Sequence, residues 1–122
     1  MSNAITDLAQ VPMLRDPRYG SIRELVGFAT NLPELGLAVA DVDVGATSPH
    51  HFHKRMSEAY YILEGRATMW LDGESFAMLP GQSVSIAPGV VHAIANPGPG
   101  PLRFLVATAP AYDEDDDIEV ET

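Results

Sequence analysis

Three of the four histidines in this 122-residue chain fall within four positions of one another, at His50, His51 and His53, and the fourth is His92. His51 and His53 are two apart. In extended backbone, residues i and i+2 point to the same side, so both imidazoles can reach one point. Glu58 follows after Lys54-Arg55-Met56-Ser57 and opens an apolar run, Ala59-Tyr60-Tyr61-Ile62-Leu63. A carboxylate entering such a run needs a partner, because burying it alone is costly. A divalent metal held by His51 and His53 would be that partner. His92 also enters an apolar run, just after Pro88-Gly89. Three imidazoles and one carboxylate make a mixed nitrogen and oxygen donor set. It suits Mn, Fe, Ni, Cu, Co or Zn better than Ca or Mg. The expected cofactor is one divalent transition metal per chain.

These four residues need a scaffold of strands. Ten Gly and ten Pro punctuate the chain, separating short apolar or alternating runs, the pattern of an all-β domain. Strands are expected over Ser21–Val26, Leu37–Val44, Glu58–Leu63, Ala67–Leu71, Ser75–Met78, Ser83–Ala87, Ala93–Asn96 and Leu102–Thr108. Asp72-Gly73 suits a two-residue hairpin turn. A single helical turn is expected around Thr6–Gln10, capped by Thr6. The run 59–63 is apolar throughout rather than alternating, which predicts burial of both its faces. One face would look into a barrel, the other against a second layer or a partner subunit.

Composition narrows the function classes. At 13.1 kDa there is room for one folded core. Its organisation reads as an N-terminal segment with the first strands (1–35), a barrel core (36–110) and an acidic tail (111–122). The net charge is −10. Seven of the negatives lie in the tail, at Asp113, Glu114, Asp115, Asp116, Asp117, Glu119 and Glu121; the other ten acidic residues face seven basic ones, leaving −3 for the body. Without a basic patch, nucleic acid is not an expected partner. No apolar run approaches a membrane span, and membrane is not an expected partner either. There is no Cys, which excludes disulfides and thiolate sites. No secretory signal is visible, and a cytoplasmic location is expected. The acidic end reads as a solvated tail, dispensable for fold and metal.

The motif spacing resembles that of the cupin superfamily, in particular its small single-domain microbial members. Gly45, five residues, His51, one residue, His53, four residues, Glu58, six residues and Gly65 match the first cupin motif at every position. Gly81, Gly89, His92 and Asn96 match the second with correct spacing. The departure is Ala87, where the family carries Pro; it affects turn rigidity rather than metal binding. Fifteen residues, Arg66 to Pro80, separate the motifs. The resemblance implies a double-stranded β-helix, a jelly-roll barrel of two antiparallel sheets. His51, His53, Glu58 and His92 would be the metal ligands, with one or two positions left to water or substrate, and the chain would form a homodimer.

Other residues can be placed by strand parity. Tyr60 and Ile62 share a face with Glu58 and are expected to line the pocket, with Tyr60 a candidate proton carrier. Ile94 shares a face with His92. Met69 is a further pocket candidate, though which face of 67–71 looks inward stays open. Arg103 could bind a substrate carboxylate or make an outward salt bridge. His50 points away from His51 and is expected to face solvent. The function implied is a metal-dependent enzyme on a small organic molecule, an oxygenase being favoured over an isomerase, decarboxylase or cyclase. The alternative is a non-catalytic, metal-dependent small-molecule or sugar-binding module.

Overall fold

The computed structural model describes residues 5–121. Among them are eleven strands and no α-helix: β1 (Leu14–Asp16), β2 (Gly20–Val26), β3 (Gly36–Val42), β4 (His51–Phe52), β5 (Ser57–Glu64), β6 (Ala67–Leu71), β7 (Glu74–Met78), β8 (Ser83–Ile86), β9 (His92–Ala95), β10 (Leu102–Ala109) and β11 (Ile118–Glu119). All eight expected strands form. The additional three are short: β1, β4 and β11 hold two or three residues each, too few for alternation to register.

The strands build two antiparallel sheets that face each other as a barrel. One runs β1-β2-β3-β10-β5-β8, the other β11-β4-β9-β6-β7. β10 is the central strand of the first sheet, with Phe104 opposite Ala40 on β3 and Ile62 on β5. The residues turned inward form one core, in which Ile62, Met69 and Leu102 are fully buried. Asp72 (φ 48°) and Gly73 (φ 86°) form the tight β6–β7 turn, the mirror-image turn that matches strand twist. Gly65 closes β5 at φ 85°, where a Cβ would meet the Pro101 carbonyl oxygen at 2.1 Å. Only glycine fits that approach.

Inward positions on β3 are small. Ala38 and Ala40 face the interior while larger side chains stand opposite. This difference in bulk opens a cavity of about 420 Å3 between the sheets.

Among the described residues nothing covers the outer face of β5: Tyr61 and Leu63 are each 42% exposed, so of the two expected covers the second layer is not supplied by them. Two other expectations differ from the structure. At the N-terminus Asp7, not Thr6, organises the turn. Its carboxylate accepts from the Ala9 N–H at 2.9 Å and its carbonyl from Gln10 and Val11.

The acidic end is folded rather than solvated. Ala111 is fully buried, residues Glu114–Asp116 make a 3-10 turn, and β11 pairs with β4, placing Glu119 opposite His51. Among the described residues no helix is long and apolar enough to cross a membrane.

Candidate metal centre

The four ligand candidates come from both sheets. His51 lies on β4 directly opposite His92 on β9, and His53 follows immediately after β4. Glu58 is the second residue of β5, in the facing sheet. One ligand atom from each lies within 4.8 Å of every other. His53, Glu58 and His92 are buried and His51 is half-buried.

Backbone carbonyls set the direction of each ring. Nδ1 of His51 donates to the Pro49 carbonyl at 2.8 Å, Nδ1 of His53 to the Asp116 carbonyl at 2.8 Å, and Nδ1 of His92 to the Val90 carbonyl at 2.9 Å. A carbonyl only accepts, so each Nδ1 carries the hydrogen. In the neutral rings the Nε2 lone pairs are then free for a common target. Such outer hydrogen bonds are the usual means of orienting metal-bound histidine.

The donor set fits a transition metal. Nε2 of His53 is buried and has no hydrogen-bond partner, a cost that a metal would remove. Oε1 of Glu58 stands 2.9 Å from His92 Nε2 and 3.3 Å from His53 Nε2. Burial works to raise the Glu58 carboxyl, but the contacts with His53 and His92 outweigh it and hold it at about 2. Burial and the neighbouring His92 lower His51, keeping it neutral. Burial also acts to lower His53, but the Glu58 carboxylate and the Asp116 carbonyl reverse the direction and raise it. The cluster therefore presents one anionic oxygen among imidazoles that share its charge.

The cluster opens onto the cavity between the sheets. His51, His53 and Glu58 line it together with apolar walls that include Ile22, Ala40, Val42, Phe104 and Val106. Tyr60 and Ile94 are also on the wall. The Tyr60 ring packs 4.8 Å from Phe104 and 6.1 Å from the His92 ring. Burial, helped by the Glu58 charge, pushes its hydroxyl well above the ordinary phenol value, so Tyr60 stays protonated.

The remaining pocket candidates lie elsewhere. Ile62 has the right parity but lies fully buried in the core one step beyond Tyr60, and Met69 is also fully buried in the core rather than on this cavity. Arg103 points outward. Its Nε donates to Asp41 at 2.8 Å, and Asp41 also meets Arg23 at 3.5 Å. The neighbouring β3 carboxylate thus engages Arg103 off this cavity. His50 is half-buried against Trp70, ring centroids 5.7 Å apart.

Other wall residues carry no motif. Tyr19, Thr108, Tyr112 and Asp117 face the same cavity, and the Tyr112 hydroxyl donates to Asp117 at 2.7 Å. The one available signal was Pro110-Ala111-Tyr112, an apolar break before the acidic run.

Comparison with known proteins agrees with this geometry. A model of the cupin domain matches residues 38–108. An uncharacterized protein of Methanocaldococcus jannaschii is 42% identical over 80 residues, 66% of this chain; the match spans 64% of that relative's length. KdgF from Halomonas sp. superposes with a TM-score of 0.78 at 19% identity, covering 91% of this chain and 96% of its own. Pac13, a nucleoside dehydratase of Streptomyces, gives 0.76 at 17% identity, covering 95% and 89%. At these identities the structural likenesses establish the fold alone. The family match covers more than half of the chain, and both histidine-bearing motifs lie within it: the chain belongs to the cupin family.

Proposed function

We propose that this chain is a metal-dependent enzyme acting on a small, uncharged organic molecule. One observation carries the reading: four candidate ligand side chains converge, three of them (His51, His53 and Glu58) on the wall of a mostly apolar cavity of about 420 Å3, a size suited to a small-molecule ligand. His51, His53, Glu58 and His92 would hold one divalent transition metal. When bound, such an ion supplies a Lewis acid that polarises a substrate oxygen.

The chain's own groups support redox-neutral chemistry, such as elimination or isomerisation, ahead of oxygenation. Tyr60 keeps its proton beside the ligand cluster and can offer it as a hydrogen bond to a developing oxyanion. The apolar walls limit water around the reacting atoms. Glu58, engaged as a ligand, is not free to act as the base. The name of one fold neighbour, a nucleoside dehydratase, is compatible with this class.

Charge around the cavity disfavours an anionic substrate. Five carboxylates line it besides Glu58: Asp16, Glu24, Glu114, Asp117 and Glu119. Among the described residues only Arg15 and Arg18 oppose them, and both are paired, Arg15 with Asp43 and Arg18 with Asp16 and Glu119. An anionic substrate would find no unpaired guanidinium there.

The test is elemental mass spectrometry on protein purified without added metal or chelator, followed by turnover assays with and without oxygen. About one transition-metal ion per chain and oxygen-independent turnover of an uncharged compound support the reading. Oxygen consumption coupled to turnover would move it to an oxygenase. Binding without turnover would move it to a ligand-binding module. The half-exposed Tyr61 and Leu63 support a homodimer through this sheet face, and Tyr61→Glu should halve the mass seen by light scattering.

A further inference from the structure

Asp116 is 3% exposed, although it sits in the most acidic stretch of the chain. Its carboxylate faces the turn that joins two ligand candidates, His53 and Glu58. It accepts from the backbone N–H of Lys54 at 2.8 Å, of Arg55 at 3.0 Å and of Met56 at 3.0 Å. Its own carbonyl accepts the His53 Nδ1 hydrogen at 2.8 Å. One residue therefore holds both the ring of a ligand and the backbone that sets the distance to the next ligand.

The chain secures Asp116 from both sides. Its N–H donates to the Asp113 carbonyl at 2.9 Å, and Asp113 meets Arg55 at 3.2 Å. Beyond it, β11 pairs with β4 and the Val120 N–H donates to the His50 carbonyl at 2.9 Å. A solvated end would need none of these contacts. Three backbone donors on one buried carboxylate make a charge-assisted set, which rigidifies the four-residue turn.

We propose that Asp116 is a positioning residue of the metal centre: its carboxylate fixes turn 54–56 and its carbonyl orients His53. The proposal rests on the metal-site reading above. It assigns the C-terminal segment to the site itself, since cutting the chain before Asp116 would free one ligand ring and the link to another.

Two measurements test it. In the unaltered, metal-free chain, nitrogen–proton spectra of the imidazoles should show a slowly exchanging proton on His53 Nδ1. A fast-exchanging proton, or an Nε2–H tautomer, would overturn the contact without any variant having to fold. Next, Asp116→Asn is compared with Asp115→Asn, which loses the same charge on an exposed neighbour. Zinc, read by competition with a chromogenic chelator, should bind Asp116→Asn about 10- to 100-fold more weakly. Its cobalt-loaded form should show shifted visible bands, while Asp115→Asn leaves both unchanged. Unchanged affinity and unchanged cobalt bands in Asp116→Asn would overturn the positioning role. Failure of the unaltered chain to take up zinc or cobalt, with the slow His53 proton present, would instead overturn the metal reading.

Discussion

Oε1 of Glu58 stands 2.9 Å from Nε2 of His92, although the two residues lie on opposite sheets. The contact closes the barrel at the ligand cluster. Without an ion, it asks a buried carboxylate to depend on imidazoles that hold a proton. With an ion, both atoms become ligands of one centre. His92→Ala or His53→Ala should therefore cut bound metal from about one ion per chain to a small fraction of that, measured by elemental mass spectrometry after dialysis. Retention of stoichiometric metal in either variant would refute the ligand assignment. Because an ion that binds only the folded chain adds about 4 kcal/mol at 1,000 times its Kd, chelation should also lower Tm in the unaltered chain and leave His92→Ala unmoved.

Tyr60 sits beside that cluster with its hydroxyl held protonated by burial and the Glu58 charge. Loss of one oxyanion hydrogen-bond donor typically costs about 10²- to 10³-fold in kcat. Tyr60→Phe should therefore lower kcat by about that factor while metal content and Tm stay near those of the parent, because the ring keeps its packing on Phe104. A fall in metal content would place Tyr60 in the ligand set's support instead. Equal turnover would remove it from the chemistry.

The cluster of His51, His53, Glu58 and His92 was legible because its signal is local. His51 and His53 share a side by strand parity, Glu58 stands out as a charge opening an apolar run, and His92 follows a Pro-Gly turn. The barrel was legible for the same reason: β5, β6 and β10 each carry enough apolar residues to register. What the sequence hid depends on partners far along the chain. Asp116 reaches Lys54, 62 residues away, through backbone N–H groups that no side-chain pattern records. Arg103 is turned outward by Asp41, likewise 62 residues distant. Ile62 shows the limit of parity: it identifies the inward face but not how deep along the barrel a side chain sits.

That difference in depth gives a paired prediction. Arg103 is partly exposed and its bridge to Asp41 lies at the surface, where such pairs are worth up to about 1 kcal/mol. Ile62 is fully buried, where truncation to Ala costs roughly 2–5 kcal/mol. Denaturant titration should find Arg103→Ala in the first range and Ile62→Ala in the second, with metal affinity preserved in whichever variant remains folded. Loss of ligand binding in Arg103→Ala, with stability intact, would restore Arg103 to the substrate site.

Ala40 offers the most direct handle on the cavity itself. It lies opposite Ile22 and Phe104 across the sheet register, and its small side chain leaves space that the cavity occupies. Ala40→Leu should project extra bulk into that space while leaving all four ligand candidates untouched. The same substitution at Ala67, which is buried in the core and not on the cavity wall, has no space to enter and should cost about 1–3 kcal/mol by overpacking. A thermal-shift screen of uncharged small molecules separates the two. A compound that raises Tm of the unaltered chain should have no effect on Ala40→Leu, whereas zinc should raise Tm of both. If Ala40→Leu still responds to such compounds, their site is not this cavity, and the substrate reading built on it falls while the metal centre stands.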